Sequence, residues 1–514
     1  MKKSRLEYSL INSSISMFIY ILRIVIQFVG RSFFIYFLGA KYLGLNGLFT
    51  NILSFLSLAE LGIGSSIIYS LYKPLAQKDE SKVKALMNLY KKTYEFIGIF
   101  IGIVGVLIIP LLPLFIKNST DIPHMYRYYV LFLLNSVLSY FFTYKRSLAI
   151  ADQKNYLVAI NDFAFLFFMN IVQVIALYFY SNFTLFLIVQ ILFTLFSNIN
   201  ISRTVDKRYS YLKEKDVVSL DKQTKDEVKK NVIGNMSSKI GGVIVMGTDN
   251  ILISTFVNLT AVGIYSNYSL IVTSVQNLCK QITNSITASV GNFAVSNKKK
   301  DSFELFKKHF FINHSLIFFS SILLLTLMNP FISLWVGAKY MLPMSTTILI
   351  VLNYSVQVYR NTSFVFIESF GLYWSQRKKP IIEAGVNLLL SLLLLIVFDM
   401  GINGVLIGTI GSSLGFVIWY EAFIIYKTVF EKRFIHFFLT FWRSFIELII
   451  SAIVVFLLNE YLANGGSTFL QFITKTLITI VTTSILYLLL YFRREEFTFI
   501  KKILFRYILK NSFL

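Results

Sequence analysis

Residues 12–31 form an apolar stretch with a single polar side. On a helix that turns ~100° per residue, its polar side chains share a sector of ~100°. They are Asn12, Ser16, Tyr20, Arg23, Gln27 and Arg31. The pattern predicts a membrane helix with one polar stripe. Because a charge at the bilayer centre costs ~3 kcal/mol on insertion scales, we expect Arg23 to face a protein interior or a water-filled path.

Apolar runs long enough to cross a bilayer recur from one end of the chain to the other. Their length and helical period predict an all-α polytopic membrane protein of about 14 transmembrane helices. We number the predicted spans one to fourteen; they are 12–37, 44–71, 93–116, 124–144, 156–180, 183–202, 232–256, 262–289, 309–334, 343–370, 380–399, 402–426, 436–458 and 468–492.

Lysine and arginine are distributed unevenly between alternate loops. One set of loops and both chain ends hold 38 basic residues, whereas the other set holds three, Lys41, Lys117 and Lys339. The positive-inside rule then predicts that both termini are cytoplasmic. Residues 78–92 and 499–510 fit basic amphipathic helices on the inner membrane surface, or equally a solvated loop and tail.

Composition supports a membrane protein and narrows its chemistry. Of 514 residues, 56% are hydrophobic, and the only cysteine is Cys279, so no internal disulfide or cysteine metal cluster is expected. The net charge of +23 follows the loops, which indicates membrane topology and not nucleic-acid binding. High Ile, Lys, Asn and Phe contents are typical of a low-GC bacterium. The expected location is the bacterial plasma membrane. Arg23 and the lack of a cleavage site predict an uncleaved first helix.

Several enzyme classes lack their motifs in this sequence. There is no phosphate-binding loop and no H-E-x-x-H zinc motif. His309 and His314 lie at the start of span nine and fit an interfacial position better than a metal site. The outward loops are too short for a catalytic domain, which argues against a membrane polymerase. The sequence therefore predicts a protein that is not an enzyme and needs no cofactor or metal.

An offset of 219 residues relates two halves of the chain. It carries Gly44 onto Gly263 and Asn12 onto Asn231, and each glycine follows a predicted outer loop. Transporters are commonly built from such repeats, with the substrate at their interface. The predicted domains are an N-terminal lobe (1–202), a cytoplasmic linker (203–230), a C-terminal lobe (231–426), spans thirteen and fourteen (436–492) and a basic tail (493–514). A second echo, GAKY at 39–42 and 337–340, does not share the offset and is interpreted as loop chemistry.

Polar stripes also occur on spans two, seven, eight and ten. A shared central cavity would explain them together, and the candidate cavity charges are Arg23, Arg31, Glu60, Lys239, Lys280, Arg360 and Glu368. Single uncharged residues on these stripes fit helix–helix packing at least as well. The charges could also pair with each other, for example Arg23 with Glu60 or Arg360 with Glu383. Arg31 and Glu421 lie near span ends, where long side chains reach the interface.

The segment 38–76 resembles the polysaccharide transporter family, the Wzx-type flippases of the multidrug/oligosaccharidyl-lipid/polysaccharide exporter superfamily. The matching features are Leu38-Gly39, Tyr42-Leu43-Gly44, Leu61-Gly62-Ile63-Gly64 and Tyr72-Lys73-Pro74-Leu75-Ala76. The resemblance implies two six-helix lobes around a central cavity, followed by two further helices. It implies an undecaprenyl-diphosphate-linked oligosaccharide repeat unit as substrate, moved from the inner to the outer leaflet by alternating access.

The resemblance also sets expectations for site and partners. Related flippases hold the diphosphate with cavity arginines, a placement that Arg23 and Arg31 match, and Lys239, Lys280 and Arg360 follow by inference. Membrane lipids, a polysaccharide polymerase and chain-length machinery are the implied partners. The alternatives are a peptidoglycan-precursor flippase or a multidrug exporter of the same superfamily.

Overall fold

A computed structural model describes most of the chain. The described residues are 5–60, 63–117, 122–213, 247–295, 299–372, 374–462 and 468–498, with the single positions 220, 226, 228, 229, 232 and 501; within 5–16 and 284–301 only the backbone is described. Over these residues the chain is helical and contains no strand, which confirms the predicted fold class. Two compact units divide the chain, Met1–Gly263 and Ile264–Leu514.

The first unit contains spans one to six. Its long helices are Arg5–Leu56, Ile63–Gln77, Glu80–Ile108, Met125–Ala151, Asn155–Tyr180 and Phe183–Arg208. Spans one and two are one helix interrupted at Gly39, whose φ of 82° and ψ of 174° are not helical. A positive φ is strained for residues with a Cβ, so glycine ends the first span there. In the second unit Gly337 has a φ of 107°, which supports the interpretation of the GAKY echo as loop chemistry.

Two predicted elements of the first unit differ in the structure. Span two is not one helix, because a 3₁₀ turn at Ser57–Glu60 separates its first part from Ile63–Gln77. Residues 78–92 are neither a loop nor a separate surface helix, because Glu80–Ile108 is continuous into span three. Asp79 caps this helix by accepting a hydrogen bond from the Lys82 backbone N–H.

The second unit contains spans eight to fourteen. Its long helices are Leu259–Val295, which begins in the first unit, Lys299–Trp335, Met344–Ser369, Lys379–Ile396, Gly401–Ser412, Ile418–Ile425, Ile435–Leu462 and Thr468–Tyr491. A π-helical turn, Ser413–Val417, joins the two helices of span twelve. Most of span seven, and most of the predicted linker 203–230, lies outside the described residues, so the predicted domain boundaries stay a prediction.

Spans nine, ten, thirteen and fourteen share a buried polar chain. The imidazole of His314 contacts the hydroxyls of Tyr359 and Tyr491 at 2.7 Å each, and Tyr491 donates to Glu447 at 2.9 Å. His309 and His314 are both fully buried, so the predicted interfacial position is wrong for both. In an apolar environment such hydrogen bonds are a specific way to fasten span fourteen to span nine.

The surface of the described helices fits a membrane protein. Nine of them are long and apolar enough to cross a membrane. Large apolar side chains remain exposed along them, as at Phe96, Ile103 and Leu489. Exposed apolar surface of this extent is typical of protein that contacts lipid. The chain is therefore a multi-pass membrane protein.

Candidate functional site

Span one carries the predicted polar stripe on a helix with exposed apolar sides. Phe18, Val25 and Val29 are at least half exposed, whereas Arg23 is half-buried. Arg23 forms no hydrogen bond or ion pair with the described part of the chain. A guanidinium in this setting keeps its donors available for an anion.

The other predicted cations of spans one and seven are Arg31 and Lys239. Arg31 is half-buried two turns after Arg23. One residue earlier, span one packs against span five so closely that a Cβ at Gly30 would lie 2.3 Å from Asn170 Oδ1. Lys239 lies outside the described residues.

Glu60 lies in the 3₁₀ turn that interrupts span two. Its Oε1 accepts a hydrogen bond of 2.9 Å from the hydroxyl of Tyr94 on span three. Glu60 and Arg23 are both described, and no ion pair joins them. The interruption of span two therefore places the carboxylate against span three, and the suggested Arg23–Glu60 pair is not present.

Arg360 of span ten lies in a buried cluster of four charged side chains. Its Nη1 donates to Glu383 of span eleven at 2.8 Å, and its Nη2 donates to Glu421 of span twelve at 3.1 Å. Lys379 also contacts Glu421, and Gln357 accepts a further bond from Arg360 at 2.8 Å. The suggested Arg360–Glu383 pair is confirmed. Glu421 is only 1% exposed, so its predicted reach to the interface is wrong.

The Arg360 cluster balances its own charge, since two cations meet two carboxylates. Arg360 is 15% exposed, Glu383 6% and Glu421 1%. Desolvating such charges is expensive, and only mutual pairing with good geometry repays it. The ion pairs of the Arg360 guanidinium therefore hold spans ten, eleven and twelve together. Of the other candidates, half-buried Lys280 is an electrostatic neighbour of Arg360, and Glu368 is exposed in the last turn of Met344–Ser369.

A second arginine cluster, which we call the Arg146 cluster, was missed by sequence reasoning. Arg146 of span four donates from Nη1 to Asp162 of span five at 2.7 Å and from Nη2 to Asn198 of span six at 2.8 Å. The predicted span four ends at residue 144, which places Arg146 in an inner loop. The structure continues the helix to Ala151, which brings Arg146 onto the helical surface between its neighbours.

The two clusters occupy equivalent spans of the two units. In each, an arginine of one span binds a carboxylate of the next span and a polar or acidic side chain of the span after that. Spans four, five and six are related to spans ten, eleven and twelve by the predicted repeat of six spans. The 219-residue offset does not align these residues, so the correspondence is visible only in three dimensions.

The glycines of the predicted repeat meet each other in the first unit. A Cβ at Gly44 would lie 1.8 Å from the carbonyl oxygen of Leu259, and a Cβ at Gly263 would lie 2.0 Å from that of Ala40. Ala40 and Leu259 are themselves 219 residues apart. The contact is therefore reciprocal, as expected where two copies of one motif meet face to face. It supports the repeat inferred from the sequence.

Comparison with known proteins defines the fold. No protein-family model matches the sequence, and no curated protein sequence matches it. Among solved structures, the chain is similar to the lipid II flippase MurJ in an inward closed conformation, with 16% identity, a TM-score of 0.63, and coverage of 94% of this chain and 99% of that chain.

Two further similar structures are transporters of the MOP superfamily. An inward-facing multidrug resistance MATE family transporter of the MOP superfamily has 11% identity and a TM-score of 0.60, over 81% of this chain and 99% of its own. A MOP superfamily transporter from Pyrococcus furiosus, described as having a binding pocket of reverse polarity, has 12% identity and a TM-score of 0.55, over 81% and 94%. The chain has the fold of MOP superfamily transporters.

Proposed function

We propose that this protein is a flippase for undecaprenyl-diphosphate-linked oligosaccharide repeat units. It moves capsule, exopolysaccharide or O-antigen type units from the inner to the outer leaflet by alternating access. The observation that carries the proposal is Arg23, a half-buried guanidinium on an apolar first span that has no partner among the described residues. A cation held in this setting is costly and is expected to serve an intramembrane function.

The physical argument concerns the diphosphate head group. It cannot cross hydrocarbon alone, because burying unpaired charge is prohibitive. Guanidinium and ammonium groups can replace its water, since arginine binds phosphate oxygens in a bidentate manner. Arg23, Arg31, Lys239 and Lys280 are the proposed contacts, with Glu60 and Glu368 as acidic neighbours. Arg360 is the weakest of the proposed substrate residues, because two carboxylates already occupy its donors.

A multidrug exporter is the alternative favoured by the likeness to MATE transporters. An exporter of drug cations needs carboxylates that are open to its substrate. In the described part of the second unit, the buried carboxylates Glu383 and Glu421 are instead neutralised by Arg360 and Lys379. This arrangement favours an anionic substrate over a cationic drug.

A peptidoglycan-precursor flippase is the other alternative. The likeness to MurJ covers 94% of this chain, whereas the likeness to the MATE transporter covers 81%. The similarity to MurJ thus extends over more of this chain than the similarity to the MATE transporter does. A cationic stripe would bind the diphosphate of either an oligosaccharide repeat unit or a peptidoglycan precursor. The fold therefore does not distinguish the two functions, and the difference must lie in recognition of the sugars.

The experiment is a deletion with three readouts. Under the proposal, a strain without this gene and its paralogues accumulates lipid-linked repeat units in the inner leaflet and displays no surface polymer, while it still grows and keeps its drug susceptibility. Failure to grow would favour the precursor flippase, and increased drug susceptibility alone would favour the exporter. Unchanged surface polymer would overturn the proposal.

The expected cellular setting follows from the same proposal. The protein lies in the bacterial plasma membrane with both termini in the cytoplasm, and a polysaccharide polymerase with its chain-length machinery receives the product outside. The loop charges support this orientation. Reporter fusions that are active on only one side of the membrane, placed after 202 and after 492, test it directly.

A further inference from the structure

The second unit contains an aromatic pocket of about 380 Å³ at one end of its helices. Three segments that are far apart in sequence form its rim. They precede span nine, join spans twelve and thirteen, and follow span fourteen, and they contribute Lys307, Lys432 and Arg494. All three belong to loops that the charge pattern predicts on the inner side of the membrane. Their meeting at one pocket agrees with this shared side.

Two of the rim cations form cation–π contacts with the same aromatic ring. The ammonium of Lys432 lies 4.2 Å from the ring centroid of Phe303, and that of Lys307 lies 5.5 Å from it. Cation–π contacts hold ammonium groups while leaving their N–H donors open to an anion. Lys307 also pairs with Glu304 at 2.9 Å.

Arg494 is the third cation of the rim. Its Nη2 binds both carboxylate oxygens of Glu447, at 2.6 and 2.9 Å. Its Nε is buried and has no hydrogen-bond partner among the described residues. Arg494 therefore lines the pocket while Glu447 holds its Nη2 in place. Glu496 also lines the pocket, and Glu304 and Glu447 pair with Lys307 and Arg494. The charge available to an anion therefore comes mainly from Lys432.

The rest of the pocket is apolar and leads toward the lipid-facing surface. Phenylalanines 306, 310, 311 and 437 line it, and Phe306 and Phe437 are fully buried. Leu439 of span thirteen also lines it and is 60% exposed. The pocket is therefore continuous with exposed apolar surface of a membrane-spanning helix. Free phosphate would gain nothing from the phenyl rings, whereas an acyl chain would.

We propose that this pocket binds an anionic phospholipid of the inner leaflet. The phosphate lies between Lys307, Lys432 and Arg494, and an acyl chain contacts the phenylalanines. Basic pockets between transmembrane helices on the inner side commonly bind anionic head groups. The lipid would fasten the ends of spans nine, twelve, thirteen and fourteen together. This inference does not depend on the transported substrate.

The test uses native mass spectrometry and thermal unfolding of the purified full-length chain. Dioleoylphosphatidylglycerol should bind more tightly than dioleoylphosphatidylcholine and should raise the melting temperature more. The double variant Lys307→Gln/Lys432→Gln should bind phosphatidylglycerol about tenfold more weakly, while its melting temperature without lipid stays that of the wild type. The arginine double variant at the same positions should retain binding.

The matched control replaces two exposed lysines outside the pocket. Lys378→Gln/Lys427→Gln removes the same charge from loops predicted on the same side. Equal loss of binding in this control, or equal binding of the two lipids by the wild type, would reduce the effect to general electrostatics and overturn the proposal. Equal stabilisation by inorganic phosphate would also overturn it, because the ligand would then be a free anion and not a lipid.

Discussion

Arg23 of span one and Arg360 of span ten have similar sequence settings and opposite structural ones. Each lies on a polar stripe of an otherwise apolar helix. Arg360 contacts two glutamates and a glutamine, whereas Arg23 has no hydrogen-bond or ion-pair partner among the described residues. An intramembrane arginine can thus form ion pairs that hold helices together, or it can keep its N–H donors available for a ligand. Only its surroundings distinguish the two.

The difference assigns separate consequences to the two residues. Removing one partner of a buried pair leaves the other charge unpaired, and that cost falls on stability. Removing an arginine that has no protein partner costs little stability, and the loss falls on ligand binding. We therefore expect variants of the two arginines to separate transport from folding.

The largest expected effect concerns transport by the Arg23→Ala variant. Surface polymer should fall to the level of the deletion strain, because the proposed diphosphate contact is lost. The free energy of unfolding should change by less than about 0.5 kcal/mol. Polymer immunoblots and thermal unfolding of the purified variant measure the two quantities. The control variant is Arg127→Ala, which changes an exposed arginine of span four and should transport normally. Full transport by the Arg23→Ala variant would show that Arg23 does not belong to the substrate site.

The next largest effect is on stability, in the Glu421→Ala variant. It leaves Arg360 and Lys379 with one carboxylate, and we expect a loss of about 3–5 kcal/mol. Denaturant unfolding in detergent measures it. As a control, Glu460→Ala breaks a pair with Lys475 in which Glu460 is 52% exposed, and should cost less than about 1 kcal/mol. A stable Glu421→Ala protein that no longer transports would assign the cluster to the substrate instead.

Arg146→Gln should fall between these extremes. Arg146 has one carboxylate partner, Asp162, which is 26% exposed, so less desolvated charge is left behind. We expect a loss of about 1.5–3 kcal/mol, the range for hydrogen bonds to charged groups. The same unfolding assay compares it with Glu421→Ala. A loss as large as that of Glu421→Ala would show that the two clusters are energetically equal despite their different exposure.

The smallest expected effect is a coupling energy close to zero between Arg23 and Glu60. Because Glu60 accepts from Tyr94 and not from Arg23, the stability changes of Arg23→Ala and Glu60→Gln should add within about 0.5 kcal/mol. A double-mutant cycle of unfolding free energies measures this. Coupling above about 1 kcal/mol would mean that the two groups interact and that Arg23 also has a protein partner.

The sequence predicted most of the described spans because apolar length and loop charge are properties of single segments; it missed the 3₁₀ turn within span two. It also predicted Arg360 with Glu383, since both charges are near the middle of apolar helices and need a partner. It placed Glu421 and Arg146 wrongly because each lies near the end of an apolar run. A charge in that position is buried when the helix continues beyond the apolar run and packs against its neighbours. Span four continues in this way to Ala151.

The histidines show the same limit. His309 and His314 lie close to lysines in sequence, so an interfacial position is the simplest interpretation. In the structure, aromatic side chains of other spans cover them, with Tyr359 and Tyr491 on either side of His314. No pattern within span nine identifies these partners, which lie 45 and 177 residues away.

The contact between Gly44 and Gly263 has a consequence for how the two repeats can diverge. Elsewhere, a change in one repeat can be compensated by its own neighbours, so the copies are free to drift apart. At this contact each copy is packed against the backbone of the other. An added methyl group on either side collides with a carbonyl oxygen that no rotamer change can move. Each glycine is therefore constrained by the backbone of the other repeat, although the two lie 219 positions apart.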